Sequence, residues 1–87
     1  MLAAQILRHN RASLAACDRL AERRGETLRS GSRAEFRVRV EDDGRATVQV
    51  SGQGISATTL TCYRSVATEW KLPQIGEAYS TVFAHVH

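Results

Sequence analysis

Residues 34–51 read AEFRVRVEDDGRATVQVS, two alternating runs joined by a short turn. The first run places Phe36, Val38 and Val40 on one side and charged residues on the other, and the second run alternates in the same way. Because successive strand side chains point to opposite faces, the pattern predicts a β-hairpin with one apolar and one charged face. Gly44 supplies the positive φ that the turn needs. An isolated hairpin is only marginally stable, so the remaining chain must cover its apolar face.

A long amphipathic helix is predicted before the hairpin, over residues 2–24. Its apolar residues recur every three or four positions, which is the spacing of one helix face. They are Ala3, Ile6, Leu14, Cys17, Leu20 and Ala21. Gly25 is expected to end the helix, because glycine commonly follows the last helical turn.

A second helix is predicted after the hairpin, where the glycines of residues 52–54 are expected to break the strand. Ser56 or Thr58 would cap this helix, which would run to about Trp70, before Pro73 prevents its continuation. Its inner stripe consists of Thr59, Cys62, Val66 and Trp70, widened by Tyr63 and Ala67. Core packing, rather than a ligand role, is predicted for the two aromatic residues of this stripe.

The last stretch, residues 78–86, reads AYSTVFAHV and predicts a third strand. The alternation leaves open which set of side chains is buried. One set is Val82, Ala84 and Val86, and the other is Tyr79, Thr81 and Phe83.

The order helix, strand, strand, helix, strand predicts an α+β fold in one domain spanning residues 1–87. Both helices should lie on the single apolar face of the sheet. A right-handed crossover past the first strand gives the antiparallel sheet order 2-1-3. The third strand is therefore expected at an open edge.

Composition narrows the function only weakly. The net charge is +3, from 12 basic and 9 acidic residues mixed along the chain, which is weak evidence for nucleic-acid binding. No apolar run is long enough for a membrane span, and the first residues lack the compact apolar segment of a secretory signal.

Cys17 and Cys62 lie on the inner stripes of the two predicted helices. Their sulfurs would meet if the helices lie side by side, but buried cysteines also serve as small core residues, and both interpretations stay open. A disulfide would indicate an oxidising compartment such as the periplasm. It would close a loop of about 45 residues and stabilise the fold by an amount on the order of 3–4 kcal/mol.

The ordered set of motifs resembles the C-terminal domain of TonB-like energy-transducing proteins, most closely the AgmX/PglI-type C-terminal domain of gliding-motility proteins. Its pieces are a helix that carries Ile6, Arg8 and Arg11 and reaches Cys17, the hairpin FRVRVEDDGRATVQVSG, the helix LTCYRSVATEWKLP, and a terminal YSTVFAHVH after Gly76. The sequence departs from the family pattern at Leu72, where an aromatic residue is expected, and at His85 and His87, where an apolar pair is expected.

The resemblance implies a periplasmic domain of a longer protein, preceded by an inner-membrane anchor and a linker. Met1 is then expected not to be the native start. Such a domain would grip an outer-membrane or periplasmic protein in energy transduction or gliding motility.

An open edge strand offers unpaired backbone groups to an extended peptide, so the partner could bind by adding a strand to the sheet. The predicted binding strand is Tyr79, Ser80, Thr81, Val82, Phe83, Ala84 and His85. Pairing with a second copy of the chain is the competing use of the same edge. Proline at Thr81 or Phe83 is expected to remove binding by deleting a ladder N–H.

Two other classes of function are less favoured by the sequence. Arg37, Arg39 and Arg45 would share the outer sheet face, where single-stranded nucleic acid can bind, but no aromatic residue lies among them for stacking. No catalytic motif, cofactor site or metal site is predicted. His85 and His87 share a strand face, yet two ligands without a third favour an exposed strand end over a metal.

Overall fold

A computed structural model describes residues 2–87 as two helices and three strands. The elements are α1 (Leu2–Arg23), β1 (Arg33–Val40), β2 (Ala46–Gln53), α2 (Ala57–Ala67) and β3 (Tyr79–Val86). The strands form one antiparallel sheet in the order β2-β1-β3. The predicted fold class and strand order are confirmed. No helix in this range has the length and hydropathy to cross a membrane.

The central strand β1 carries the alternation that the sequence shows. Phe36 and Val38 are buried, and Arg37 between them is exposed. Phe36 pairs with Val50 on one side and with Phe83 on the other, so one apolar row crosses all three strands. The two phenylalanine rings stack with centroids 5.2 Å apart.

Both helices cover this apolar row. The helix α1 packs against β3 and α2, and α2 packs against β2. The core contributed by α1 consists of Ile6, Leu14, Cys17 and Ala21. The helix ends at Arg23, one residue earlier than predicted, and Gly25, the predicted stop, follows it with φ at +84°. The N–H of Glu26 bonds the carbonyl of Ala21, and the N–H of Gly25 bonds that of Glu22, which together satisfy the last carbonyls of the helix.

The second helix is shorter than predicted, because it ends at Ala67 rather than near Trp70. Ser56 is its N-cap and accepts a hydrogen bond from the N–H of Thr59 at 3.2 Å. After Ala67 the chain turns, and the Trp70 indole lies over Phe36 with ring centroids 5.5 Å apart. Trp70 therefore reaches the core from the turn after α2 and not from the helix itself.

Two assignments near the sheet also need correction. The glycines did not end β2 at residue 51, since Gly52 pairs with Ala34 inside the strand. Its missing side chain leaves room for Leu60, because a Cβ there would approach a Leu60 methyl carbon to 2.7 Å. Leu20, predicted on the inner stripe of α1, is 46% exposed.

The structure also settles which face of β3 is buried. Phe83 is buried and Tyr79 and Thr81 are half-buried against the helices, whereas Val82 and Val86 are 53% and 60% exposed on the opposite face. The register explains this choice, because Phe83 lies opposite the buried Phe36.

Candidate functional site

The first candidate site is the free edge of β3, and its hydrogen-bond pattern follows from the ends of the two ladders. The N–H of His87 bonds the carbonyl of Ser32 at 2.9 Å, just beyond the β1–β3 pair. The N–H of Glu41 bonds the carbonyl of Arg45 at 2.7 Å, just beyond the β1–β2 pair. Hydrogen-bonded and non-bonded pairs alternate along an antiparallel ladder. The odd-numbered residues of β3 therefore bond to β1, and the even-numbered residues direct their backbone groups away from the sheet.

The outward-facing set is Ser80, Val82, Ala84 and Val86. Within the described residues, no hydrogen bond from outside β3 reaches the backbone groups of this set. This pattern corrects the sequence-based choice of proline positions. Thr81 and Phe83 use their N–H groups in the ladder with β1, so proline there would disrupt the fold itself.

The opposite edge of the sheet is less open. Arg64 on α2 donates from Nη2 to the backbone carbonyl of Val50 at 3.0 Å, which occupies one outward acceptor of β2. Leu60 lies against Gly52 on the same strand. The helix α2 thus protects the β2 edge, and no equivalent contact within residues 2–87 protects β3.

The two cysteines form a disulfide that joins the helices. The sulfurs of Cys17 and Cys62 lie 2.12 Å apart, with their Cα atoms 5.8 Å apart. The bond holds α1 next to α2 at these two residues. Asp18 follows Cys17 on α1 and Tyr63 follows Cys62 on α2, so the bond also brings Asp18 close to Tyr63.

A second candidate site lies next to this bond, where Asp18 and Tyr63 meet His85 of β3 and His87, which directly follows that strand. The Tyr63 hydroxyl donates a hydrogen bond to Asp18 Oδ1. The Nε2 atom of His85 lies 2.9 Å from Asp18 Oδ2, and that of His87 lies 3.1 Å from Oδ1. We refer to these four residues as the Asp18 cluster.

Burial and hydrogen bonding act in opposite directions on the carboxyl group of this cluster. Burial favours the neutral acid and would raise the pKa of Asp18, but hydrogen bonds from Tyr63, His85 and His87 stabilise the carboxylate, and the pKa is lowered overall. Burial, followed by the neighbouring carboxylate, raises the pKa of the Tyr63 hydroxyl far above its usual range. Asp18 is therefore charged and Tyr63 is a neutral donor at pH 7.

The sequence-based interpretation of the two histidines as an exposed strand end was wrong. The side chains of His85 and His87 are 15% and 13% exposed, and that of Asp18 is 17% exposed. Asp18 was missed as a member of a site. The available signal was its position directly after Cys17, because a disulfide between the helices would place it near Tyr63.

The predicted core roles of the aromatic residues hold. Tyr63 is fully buried and Trp70 packs on Phe36. Both also use their polar atoms, since the Trp70 Nε1–H donates to Ser13 Oγ at 3.0 Å.

The arginines proposed for nucleic-acid binding are each paired with an acid. Arg37 bonds Glu35 at 3.0 Å, Arg39 bonds Glu41 at 2.7 Å and Arg45 bonds Asp43 at 2.8 Å. Three positive and three negative side chains balance each other here. A phosphate would have to compete with these carboxylates, so the arrangement does not favour a nucleic-acid surface.

Comparison with known protein families, with curated proteins and with solved structures found no match. The likeness to TonB-like domains therefore rests on the sequence motifs and stays a prediction.

Proposed function

We propose that this domain binds an extended segment of another protein, which adds to the sheet as a fourth strand beside β3. The observation that carries the proposal is the row of outward-facing backbone groups at Ser80, Val82, Ala84 and Val86, which no other described part of the chain bonds. Backbone hydrogen bonds would supply affinity that is largely independent of the partner's sequence.

Side chains along the same edge offer a source of selectivity. Val82 and Val86 are exposed on the open face, and each lies directly opposite an arginine of β1, Arg37 and Arg33 respectively. An added strand would place alternate side chains beside these valines. A segment with apolar residues at every second position suits this surface.

The cellular setting that we propose follows from the resemblance together with the disulfide. A disulfide persists in oxidising compartments, which supports a periplasmic location. In this setting the domain belongs to a protein anchored in the inner membrane, and it engages an outer-membrane or periplasmic partner as part of a TonB-like energy-transducing or gliding-motility machine.

The edge is tested by Val82→Pro. Val82 directs its N–H outward, so proline removes one edge donor and leaves the β1–β3 ladder intact. Ala46→Pro is the matched control, because Ala46 also faces outward but lies on the β2 edge. Linear peptides selected from a random displayed library serve as probes, with affinity measured by fluorescence anisotropy and the site mapped by backbone amide NMR.

We expect Val82→Pro to weaken peptide binding at least tenfold and Ala46→Pro to leave it within twofold of wild type. Amide shifts should concentrate on the even-numbered residues of β3. Equal binding by wild type and Val82→Pro would refute strand addition at this edge. A wild-type dimer that becomes monomeric in Val82→Pro, with no peptide binding in either, would show instead that the edge pairs with a second copy.

A further inference from the structure

Three side chains of the Asp18 cluster bring potential metal ligands together from two separate elements. Asp18 lies on α1, and His85 of β3 and His87 just after it both contact this residue. One carboxylate oxygen or ring nitrogen from each residue can be chosen so that all of these atoms lie within 4.8 Å of one another. The sequence alone shows the two histidines but not the carboxylate that completes the set.

The second ring nitrogen of His87 indicates how its imidazole is oriented. Its Nδ1 atom lies 3.4 Å from the backbone carbonyl oxygen of Ser32, which can only accept a hydrogen bond. A hydrogen bond from Nδ1 to this carbonyl orients the ring with Nε2 toward the Asp18 carboxylate, 3.1 Å away. In this orientation Nε2 can donate to the carboxylate or, without its proton, bind a metal ion beside it.

We propose that Asp18, His85 and His87 bind one divalent transition-metal ion of the zinc class. Zn–N and Zn–O bonds of about 2.0–2.2 Å in a tetrahedral site bring ligand atoms to roughly 3.3 Å from each other. The nitrogen–oxygen distances are 2.9 Å from His85 to Asp18 Oδ2 and 3.1 Å from His87 to Asp18 Oδ1, and one atom from each residue can be chosen within 4.8 Å of the others. Small side-chain rotations would bring these atoms to the separations of a tetrahedral site. Imidazole with a carboxylate suits Zn²⁺, Ni²⁺ or Cu²⁺ better than Mg²⁺ or Ca²⁺.

The surroundings of the three ligands also suit a metal. Tyr63 donates to Asp18 Oδ1 and orients the carboxylate, while Ser32 orients His87, and hydrogen bonds of this kind typically position metal ligands. Both cysteines are held in the disulfide, so no thiolate competes for the ion. The ligand side chains are 13–17% exposed, so the group is not sealed from solvent.

A bound ion would tie the end of β3 to α1 on the helix-covered face of the sheet, away from the outward-facing backbone groups of the free edge. This inference does not depend on the proposed partner binding. A metal site can be present with or without strand addition at the outer edge, and the two experiments give separate answers.

The test uses the tag-free chain after treatment with a chelator. Zn²⁺ is titrated calorimetrically, and Co²⁺ is added as a spectroscopic probe of tetrahedral coordination. We expect one ion per chain, a Kd in the micromolar range or tighter, and a visible Co²⁺ band that Zn²⁺ displaces. At a hundredfold excess of Zn²⁺ over Kd, the Tm should rise by an amount on the order of 10 °C.

Asp18→Asn and His87→Gln should each weaken Zn²⁺ binding at least tenfold, whereas His9→Ala should not change it. His9 is the matched control because it is an exposed histidine on α1, away from the cluster. Far-UV circular dichroism checks that each variant is folded, and His85→Asn replaces any variant that is not. Failure of the folded wild type to bind Zn²⁺ below a Kd of about 100 μM, or a loss of binding in His9→Ala alone, would overturn the proposal.

Discussion

Removal of the disulfide by the double substitution Cys17→Ala/Cys62→Ala is expected to cost much of the stability of this domain. The bond closes a loop with a sequence separation of 45. In the loop-closure model a loop of this length restricts the unfolded chain by about 4 kcal/mol. Small domains have unfolding free energies of about 5–15 kcal/mol, so the loss would be a large fraction of the total.

The assay is urea unfolding followed by the fluorescence of Trp70, the single tryptophan of the chain. Trp70 packs on Phe36 and Phe83, so its emission reports the loss of the core. We expect the free energy of unfolding to fall by about 3–4 kcal/mol and the Tm by roughly 12–30 °C. The slope of the unfolding free energy against urea concentration should rise, because the unfolded chain without the cross-link exposes more surface.

Wild-type protein reduced with a phosphine is the control, because it lacks the bond but keeps both sulfur atoms. It should unfold close to the double variant, since alanine replaces a buried cysteine with only a small loss of volume. A stability loss below about 1 kcal/mol in both samples would refute the reasoning that the cross-link acts on the unfolded chain. A large loss in the variant alone would assign the effect to core packing.

Two further substitutions test local features of the fold. Gly54→Ala should destabilise the domain more than Gly25→Ala, as measured by urea unfolding. Both glycines have positive φ, so alanine is strained at either position. Only at Gly54 would the added Cβ also meet Ser32 Oγ, at 2.9 Å. Equal losses would show that the Ser32 contact is relieved at no cost. Hydrogen bonds from Thr59 and Ser56 lower the pKa of Glu26 below 4.5, so its contribution is present above about pH 4.5 and is lost as the pH falls through the lower folded value. The stability difference between wild type and Glu26→Gln should therefore shrink on acidification, and a difference that stays constant from pH 7 to pH 3 would contradict this assignment.

The sheet was the part of the fold that the sequence predicted best. Alternation through Phe36 and Val38 is a local property, and a strand with period two has only one way to bury such a row. Once two helices must share that face, the strand order follows from the handedness of the crossover. The position of β3 at the edge therefore follows from two assumptions, that both helices lie on one face and that the crossover is right-handed.

Helix ends and exposure were predicted less well, because tertiary contacts decide them. Trp70 fits the helical period of α2, yet it lies in the turn after Ala67, where its indole reaches both Phe36 and Ser13. Gly52 resembles a strand breaker, but the close approach of Leu60 requires a residue without a side chain there. Neither contact is visible in local periodicity.

The Asp18 cluster shows a similar limit at the level of a site. His85 and His87 share a face by strand period, which the sequence shows directly. Asp18 is more than sixty positions away and joins them only because the register of β3 and the packing of α1 bring the three together. The position of Asp18 directly after Cys17 points to Tyr63 on the neighbouring helix, but not to the two histidines.

The disulfide and the Asp18 cluster act on the same strand from one side. Cys17 fixes α1 to α2, and Asp18, the next residue, contacts His85 and His87 at the end of β3. The inner face of β3 is thus attached to a cross-linked helix pair, and its inner edge is bonded to β1. Force applied along an added strand would load these attachments together with the β1–β3 ladder. If a partner adds at the free side, as proposed, these attachments would resist the extraction of β3 from the sheet.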